Sequence, residues 1–514
     1  MTPTPAQSRR ALAVVLLPLT LLVAMLTGAA ASTPPVGTGA SRLAPPPPNW
    51  VVTENAKPGT SAWRISPGAI KGIVGYANRT SAKLGESVTL YIDTKAASYH
   101  VEAYRLGYYN GLGGRLIWTS PTRTGVNQPR RTVAAGTNMV EARWSPSITV
   151  SMGSGWVQGN YVFKLVSGAG GETYIPFVLR DDSSRSALVL MHQVTTWLAY
   201  NSWGGYSLYK GADGSFADRS RVASFDRPYG GRGAAGLLTS FPFVSLVEKA
   251  GMDVTYWTDV DLQQRASLLS RHRALISLDH DEYWSREMRD NAIAARSNGL
   301  NIAFLGANAI FRKIRFESSP LGAARRVVNY KLGPEDPLYG VNDPATTPNW
   351  RSDPVFEPET VLLGAMYECN PVHGDMVVVD GGNWVFSGTG IADGGHIPLG
   401  VEKEYDSVHP PAPTPRTIQI LAHSPVTCGG ESDFADMTYY TTHSAAGVLD
   451  VGSQGWVDLI ECGAPVQEVT CDTRAVRITQ NILNAFAAGP AGIAHPSQSN
   501  LADFGITLRA PIDP

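Results

Sequence analysis

Residues 274–306 read ALISLDHDEYWSREMRDNAIAARSNGLNIAFLG. The run opens as a buried strand, ALISLD, and turns abruptly polar at Asp279, His280, Asp281 and Glu282. Ser285 is a helix N-cap residue, and REMRDNAIAARSNG carries helical periodicity up to Gly299, which fits the C-terminal cap. NIAFLG then reads as a second strand. Strand, helix and strand of these lengths predict a parallel βαβ unit. The same texture precedes it. SALVLMHQ (186–193) is a buried strand, GLLTSFPFVSLVEKAG (236–251) a helix ending at Gly251, MDVTYWTD (252–259) a strand and DLQQRASLLSRH (261–272) a short helix. AVRITQNILNAFAAG (475–489) is the last periodic helix. The fold class is therefore α/β, with a doubly wound sheet over 186–490 and a tail at 491–514.

Before DDSSR (181–185) the texture is all β. SVTLYIDT and YHVEAYRL alternate apolar and polar residues, and NYVFKLVS and TYIPFVLR close the segment. Short strands separated by turn residues predict an immunoglobulin-like β-sandwich over 60–181. The short connection VLRDDSSRSALVL predicts that the sandwich packs on the α/β domain. Residues 32–59 are rich in Pro, Gly, Ser and Thr and read as a linker. Residues 1–31 read as a secretory signal peptide: Arg9 and Arg10, an apolar run, then Ala29–Ala31 as the small-residue cleavage site.

Composition narrows the function. The chain has 514 residues, 43% apolar and 17% charged, with a formal net charge of −2. It lacks the basic footprint of a nucleic-acid binder. After the leader no apolar run is long enough to span a bilayer, so no stable membrane insertion is expected. Four cysteines in an exported chain favour two disulfides. CGAPVQEVTC favours Cys462 with Cys471 as a local loop, leaving Cys369 with Cys428.

Ligands of open α/β sheets bind beyond the carboxyl ends of the strands. That places DHDEYW at a candidate site. His280 and Glu282 lie two residues apart and face one side of extended chain. Asn308, in GANAIF, ends the next strand, and Tyr200 and Tyr229 follow other strand ends. Each has a plainer reading as a cap, turn or packing residue. No G-x-S-x-G elbow, P-loop or H-E-x-x-H occurs, and the glycine-rich GGRGAAG (230–236) lacks the context of a dinucleotide site.

Five strings in order, AYRLGYYNGLGGR, TTWLAYNSWGGYSLY, FDRPY, LDHDEYWS and FLGANAIFRK, resemble the large (beta) subunit of N,N-dimethylformamidase and its C-terminal-domain relatives. The resemblance implies an immunoglobulin-like domain followed by a domain like class I glutamine amidotransferases, without their cysteine nucleophile. It implies a mononuclear, ferric iron held by Tyr200, Tyr229 and Glu282, with His280 moving protons, Asn308 at the oxyanion and Glu404 (or Glu402) as a further acid. Phenolate and carboxylate are hard oxygen donors that suit such an ion. The expected function is secreted, iron-dependent hydrolysis of amide bonds, with a small amide as partner and homo-oligomerisation left open. The alternative is a non-catalytic secreted or cell-surface binding protein directed at carbohydrate or cell wall.

Overall fold

The computed structural model describes residues 49–231, 233, 235–460, 462 and 471–514. The expected signal peptide and most of the expected linker lie outside them. Residues 49–59 correct the linker reading. They carry helix α1 (Trp50–Asn55), capped by the Asn49 side chain, which accepts from the Val51 amide. Val51 is fully buried in the core of the α/β sheet.

The β segment forms two facing sheets. β1 (Ile73–Ala77) pairs antiparallel with β2 (Ser87–Thr94). β3 (Ser98–Leu106) belongs to the second sheet, and β4 (Ile148–Ser151) pairs with β2. β5 (Gly159–Ser167) lies between β3 and β6 (Glu172–Arg180), antiparallel to both. Alternate residues point between the sheets: Val88, Leu90 and Ile92 meet Phe163, Leu165, Ile175 and Phe177 in one apolar core. This is the period-two pattern of a half-buried strand expressed as packing.

The α/β domain begins with β7 (Leu188–His192) and α2 (Val194–Tyr200). The expected single helix over 236–251 is two helices, Ala235–Thr239 and α3 (Phe241–Lys249), because Pro242 starts a new helix at its first turn. β8 (Val254–Thr258), α4 (Asp259–Arg265), β9 (Ala274–Asp279), α5 (Arg286–Ser297) and β10 (Asn301–Gly306) follow. The Ser285 hydroxyl accepts from the Met288 amide at 3.1 Å, as an N-cap should. Residues 312–407 were not foreseen as β. They form an antiparallel hairpin over 312–328 and a second from β11 (Met366–Val377) and β12 (His396–Ser407). β13 (Gln419–Cys428), β14 (Glu431–Thr441), β15 (Gly447–Asp450) and α6 (Thr473–Ala488) complete the domain.

The main sheet runs β8-β7-β9-β10-β15-β14-β13, with the first five strands parallel and the last two antiparallel. Leu188, Leu190, Ile276 and Leu305 face α3 and α6, whereas Val189, Met191, Leu275 and Ile302 face α5. Both faces are buried, so the strands read as continuous apolar runs. Residues 491–514 are not a free tail: Ala510–Ile512 pairs with Pro413–Pro415, and Asn500 bonds both backbone groups of Ile420.

The sandwich and the sheet are joined by buried charge. Arg105 of β3 and Glu248 of α3 are both fully buried and form a two-pronged pair at 2.5 and 3.1 Å. Glu248 also accepts from Asn55 and Tyr256, at 2.9 and 2.6 Å. A Cβ on Gly107 would lie 2.1 Å from the Glu248 carboxylate, so only glycine passes there. AYRLGYYNGLGGR is thus a domain clamp. Disulfides join Cys369 to Cys428 and Cys462 to Cys471. Among the described residues no helix is long and apolar enough to cross a membrane.

Candidate functional site

The carboxyl ends of β9 and β10 turn sharply. Asp279 (φ 54°) and Asn308 (φ 55°) both adopt the left-handed conformation, which costs a non-glycine residue energy and is common at functional sites. A Cβ on Gly306 would lie 1.6 Å from the Asp279 carbonyl oxygen. Glycine there lets the two strand ends lie side by side. The backbone of Glu282 is held from two sides: its amide donates to Thr196 Oγ1 of α2 at 3.0 Å, and its carbonyl accepts from the Arg312 amide at 2.8 Å.

Two phenols converge on the Glu282 carboxylate. Tyr200 donates to it at 3.0 Å, and Tyr209 lies 2.6 and 2.8 Å from its two oxygens. The two hydroxyls are 3.1 Å apart and the rings are stacked at 4.5 Å. Gly204 (φ 82°) and Gly205 (φ 95°) reverse the chain after α2 and return Tyr209 beside Tyr200. Glu282 is 1% exposed. Burial pushes its pKa up, but His280, Lys331 and Arg312 outweigh burial and hold it below the ordinary carboxylate range. Arg312 is the dependable cation, with Nε 3.2 Å from the carboxylate. Burial, reinforced by Arg312, pushes the Lys331 ammonium well down. Both phenols are pushed well above the usual tyrosine value, by burial and then by the charge of Glu282.

His280 bridges this cluster to a second one. Its Nε2 is 3.5 Å from Glu282, 3.4 Å from Glu404 and 3.2 Å from Asn308 Nδ2. Asn308 Nδ2 also lies 2.6 Å from Glu404, and Asn370 Nδ2 donates to the other Glu404 oxygen at 3.1 Å. Burial raises the Glu404 carboxyl above its ordinary value, against the pull of His280 and Asn308. Glu402 instead pairs with His373 at 2.5 Å.

Five of the sequence-derived residues therefore meet: Tyr200, His280, Glu282, Asn308 and Glu404. Tyr229 does not join them at Glu282. Its charged neighbours are Asp259, Arg325 and Arg227, and it lines a cavity beside the site. Tyr209, which the sequence reading did not single out, hydrogen-bonds Glu282 instead. Tyr229 and Tyr209 both follow strand or helix ends, and separation along the chain cannot tell which returns to Glu282. The Gly-Gly reversal between Tyr200 and Tyr209 was the signal available. Arg312, Asn370 and Tyr367, whose hydroxyl accepts from Asn370 at 2.8 Å, were also missed.

The donor set is phenolic. Among the described residues no group of three or more His, Cys, Asp or Glu forms a metal cluster. Two phenol oxygens and a carboxylate within 3.1 Å of one another nevertheless match the spacing around a small octahedral cation, whose oxygen ligands at about 2.0–2.1 Å sit about 2.9 Å apart. Three hard oxygen donors, two of them resisting ionisation until a cation arrives, fit a hard trivalent or divalent ion.

A search of curated proteins finds no match. One similar solved structure concerns T cell specificity and activation by the bacterial superantigen toxic shock syndrome toxin-1, at 16% identity over 21% of this chain and 98% of that one, with a TM-score of 0.13. Another is a Paenibacillus sp. cycloisomaltooligosaccharide glucanotransferase complexed with cycloisomaltoheptaose, at 9% identity over 82% of this chain and 81% of that one, with a TM-score of 0.16. Neither likeness is close enough to carry an argument about fold or function. Residues 100–468, which hold both the domain clamp and every residue of the site, match the model of one family, and the chain belongs to it: N,N-dimethylformamidase beta subunit-like, C-terminal.

Proposed function

We propose that the protein is a secreted, metal-dependent hydrolase of carbon–nitrogen bonds in amides, with one iron ion held by Tyr200, Tyr209 and Glu282. The observation that carries this reading is the convergence of three oxygen donors within 3.1 Å, next to a histidine that touches a second carboxylate. The site at the ends of parallel strands supports an amidotransferase-like scaffold behind an immunoglobulin-like sandwich. Cysteine chemistry is not available to it, because all four cysteines are in disulfides. Disulfides and the leader-like N-terminus support export.

When bound, the ion supplies activation of water and polarisation of the amide carbonyl. The chain does the rest. Tyr200 and Tyr209 give up their hydroxyl protons on loading, and Arg312 keeps Glu282 ionised. His280 accepts a proton at Nε2 from the attacking water and passes it toward Glu404. Glu404, with its raised pKa, holds that proton at Oε2 and returns it to the nitrogen of the departing amine. Asn308 Nδ2 fixes Glu404 beside His280. Water and amide become carboxylic acid and amine, with protons balanced.

Metal analysis with a visible spectrum tests this directly. Protein from iron-replete cells should carry about one iron and a phenolate-to-iron absorption band. Tyr209→Phe should lose the band and Tyr229→Phe should keep it. A colourless, metal-free protein that cleaves no amide in a panel from formamides upward would refute the reading, and would leave a binding role.

A further inference from the structure

Beside the Tyr200–His280 edge of the site lies a cavity of about 390 Å³. Its wall is made by Trp197, Tyr229, Gln193 and Pro176, the last contributed by sandwich strand β6. Gly230, Gly231, Gly233, Ala235 and Gly236 also line it, from the stretch that had no role in the sequence reading. Those glycines serve the cavity. A Cβ on Gly236 would press into the Trp197 ring at 2.3 Å, whereas Gly231 faces open space. Glycine on one side holds the indole in place, and on the other it allows close approach of a ligand.

Size, charge and unpaired polar atoms select the occupant. Cavities of about 300–1,000 Å³ take drug-sized ligands, and a dimethyl formamide would fill only a corner. Among the described residues the lining carries one acid, Asp279, and no lysine or arginine. The Asp279 carboxylate in that lining disfavours an anion. The Gln193 side-chain oxygen is buried and without a partner, on a residue 1% exposed, and the Trp197 indole nitrogen is likewise unpaired. A buried acceptor beside the catalytic edge suits an amide N–H, since an unmade bond there costs about 1–3 kcal/mol.

We propose that this cavity takes an uncharged amide bearing an aromatic group, with the ring against Trp197 and Tyr229, the N–H on Gln193 and the carbonyl at the Tyr200–His280 edge. That this amide is cleaved rests on the hydrolase reading above; that it binds does not. The test is calorimetric titration of the purified protein with benzylacetone, a non-cleavable ketone shaped like N-benzylacetamide, against acetone and the anion hydrocinnamate. Benzylacetone should bind at least about tenfold more tightly than either, and Trp197→Ala should weaken it about tenfold. N-benzylacetamide should lose affinity in Gln193→Leu, which covers the case that Trp197→Ala fails to fold. Turnover of N-benzylacetamide should exceed that of N,N-dimethylformamide about tenfold in kcat/KM. Equal affinities for benzylacetone and acetone, or unchanged binding in both variants, would overturn the proposal. The expected affinity ranking with no cleavage of any amide would refute the hydrolase reading and leave the ligand class standing.

Discussion

Replacing Arg105 by methionine tests the clamp between the sandwich and the sheet. The substitution keeps most of the side-chain volume and removes the guanidinium. Glu248 then keeps only the Asn55 and Tyr256 donors, in a place where the carboxylate is 0% exposed. Truncating one partner of a buried pair costs about 3–5 kcal/mol, because the other charge stays buried. The remaining donors offset part of that, since hydrogen bonds to a charged group are worth about 1.5–3 kcal/mol each. The loss expected for Arg105→Met is therefore at the low end, about 3 kcal/mol. Arg105→Met/Glu248→Leu should recover at least about 1–2 kcal/mol, because no lone charge remains. Urea unfolding followed by both far-ultraviolet dichroism and tryptophan emission measures this. The two probes should separate in Arg105→Met if the clamp couples the two parts. A loss below about 1 kcal/mol, or a double variant as unstable as the sum of the singles, would refute the reasoning.

Three further outcomes are expected. His280→Ala should keep the metal and slow amide turnover about 10²–10⁴-fold, whereas Glu282→Ala should lose the metal; paired metal and rate assays separate the two lesions. Burial raises the Glu368 carboxyl to about 7, against the pull of Arg351. Its folded pKa lies above its unfolded one, so its stabilisation is full below about pH 4.5 and is lost as pH rises through about 7. Wild type should lose about 1–2 kcal/mol relative to Glu368→Gln between pH 4 and 8, allowing for solvent screening, as read by denaturation at each pH. Non-reducing peptide mapping should recover Cys369–Cys428 and Cys462–Cys471. Removing the first, with a separation of 59 residues, should cost about 4 kcal/mol, and the second, with 9, about 2.5 kcal/mol.

The sequence by itself determined the pieces that are local. Alternation in SVTLYIDT and the apolar runs SALVLMHQ, ALISLD and NIAFLG specify strands, because burial on one face or two imposes its own period. Ser285 and Gly251 end elements through bonds and angles made within a few residues. The polar break after Leu278 marks the strand end at which His280 and Glu282 lie, and the five strings in order carry the family. Only the tertiary structure decided which distant side chains meet. Tyr209 rather than Tyr229 reaches Glu282 because Gly204 and Gly205 fold the chain back, a matter of dihedral angles that composition does not display. Arg312, Asn370 and Glu404 come from segments 30, 88 and 122 residues beyond Glu282, on hairpins whose bulged pairings blur the strand pattern. AYRLGYYNGLGGR stood in the sequence only as one of the strings that carry the family, and it took the position of α3 to make Arg105 and Gly107 a clamp. A side chain's partner is set by the packing of whole elements, and that packing minimises the free energy of the entire core rather than of any one stretch of chain.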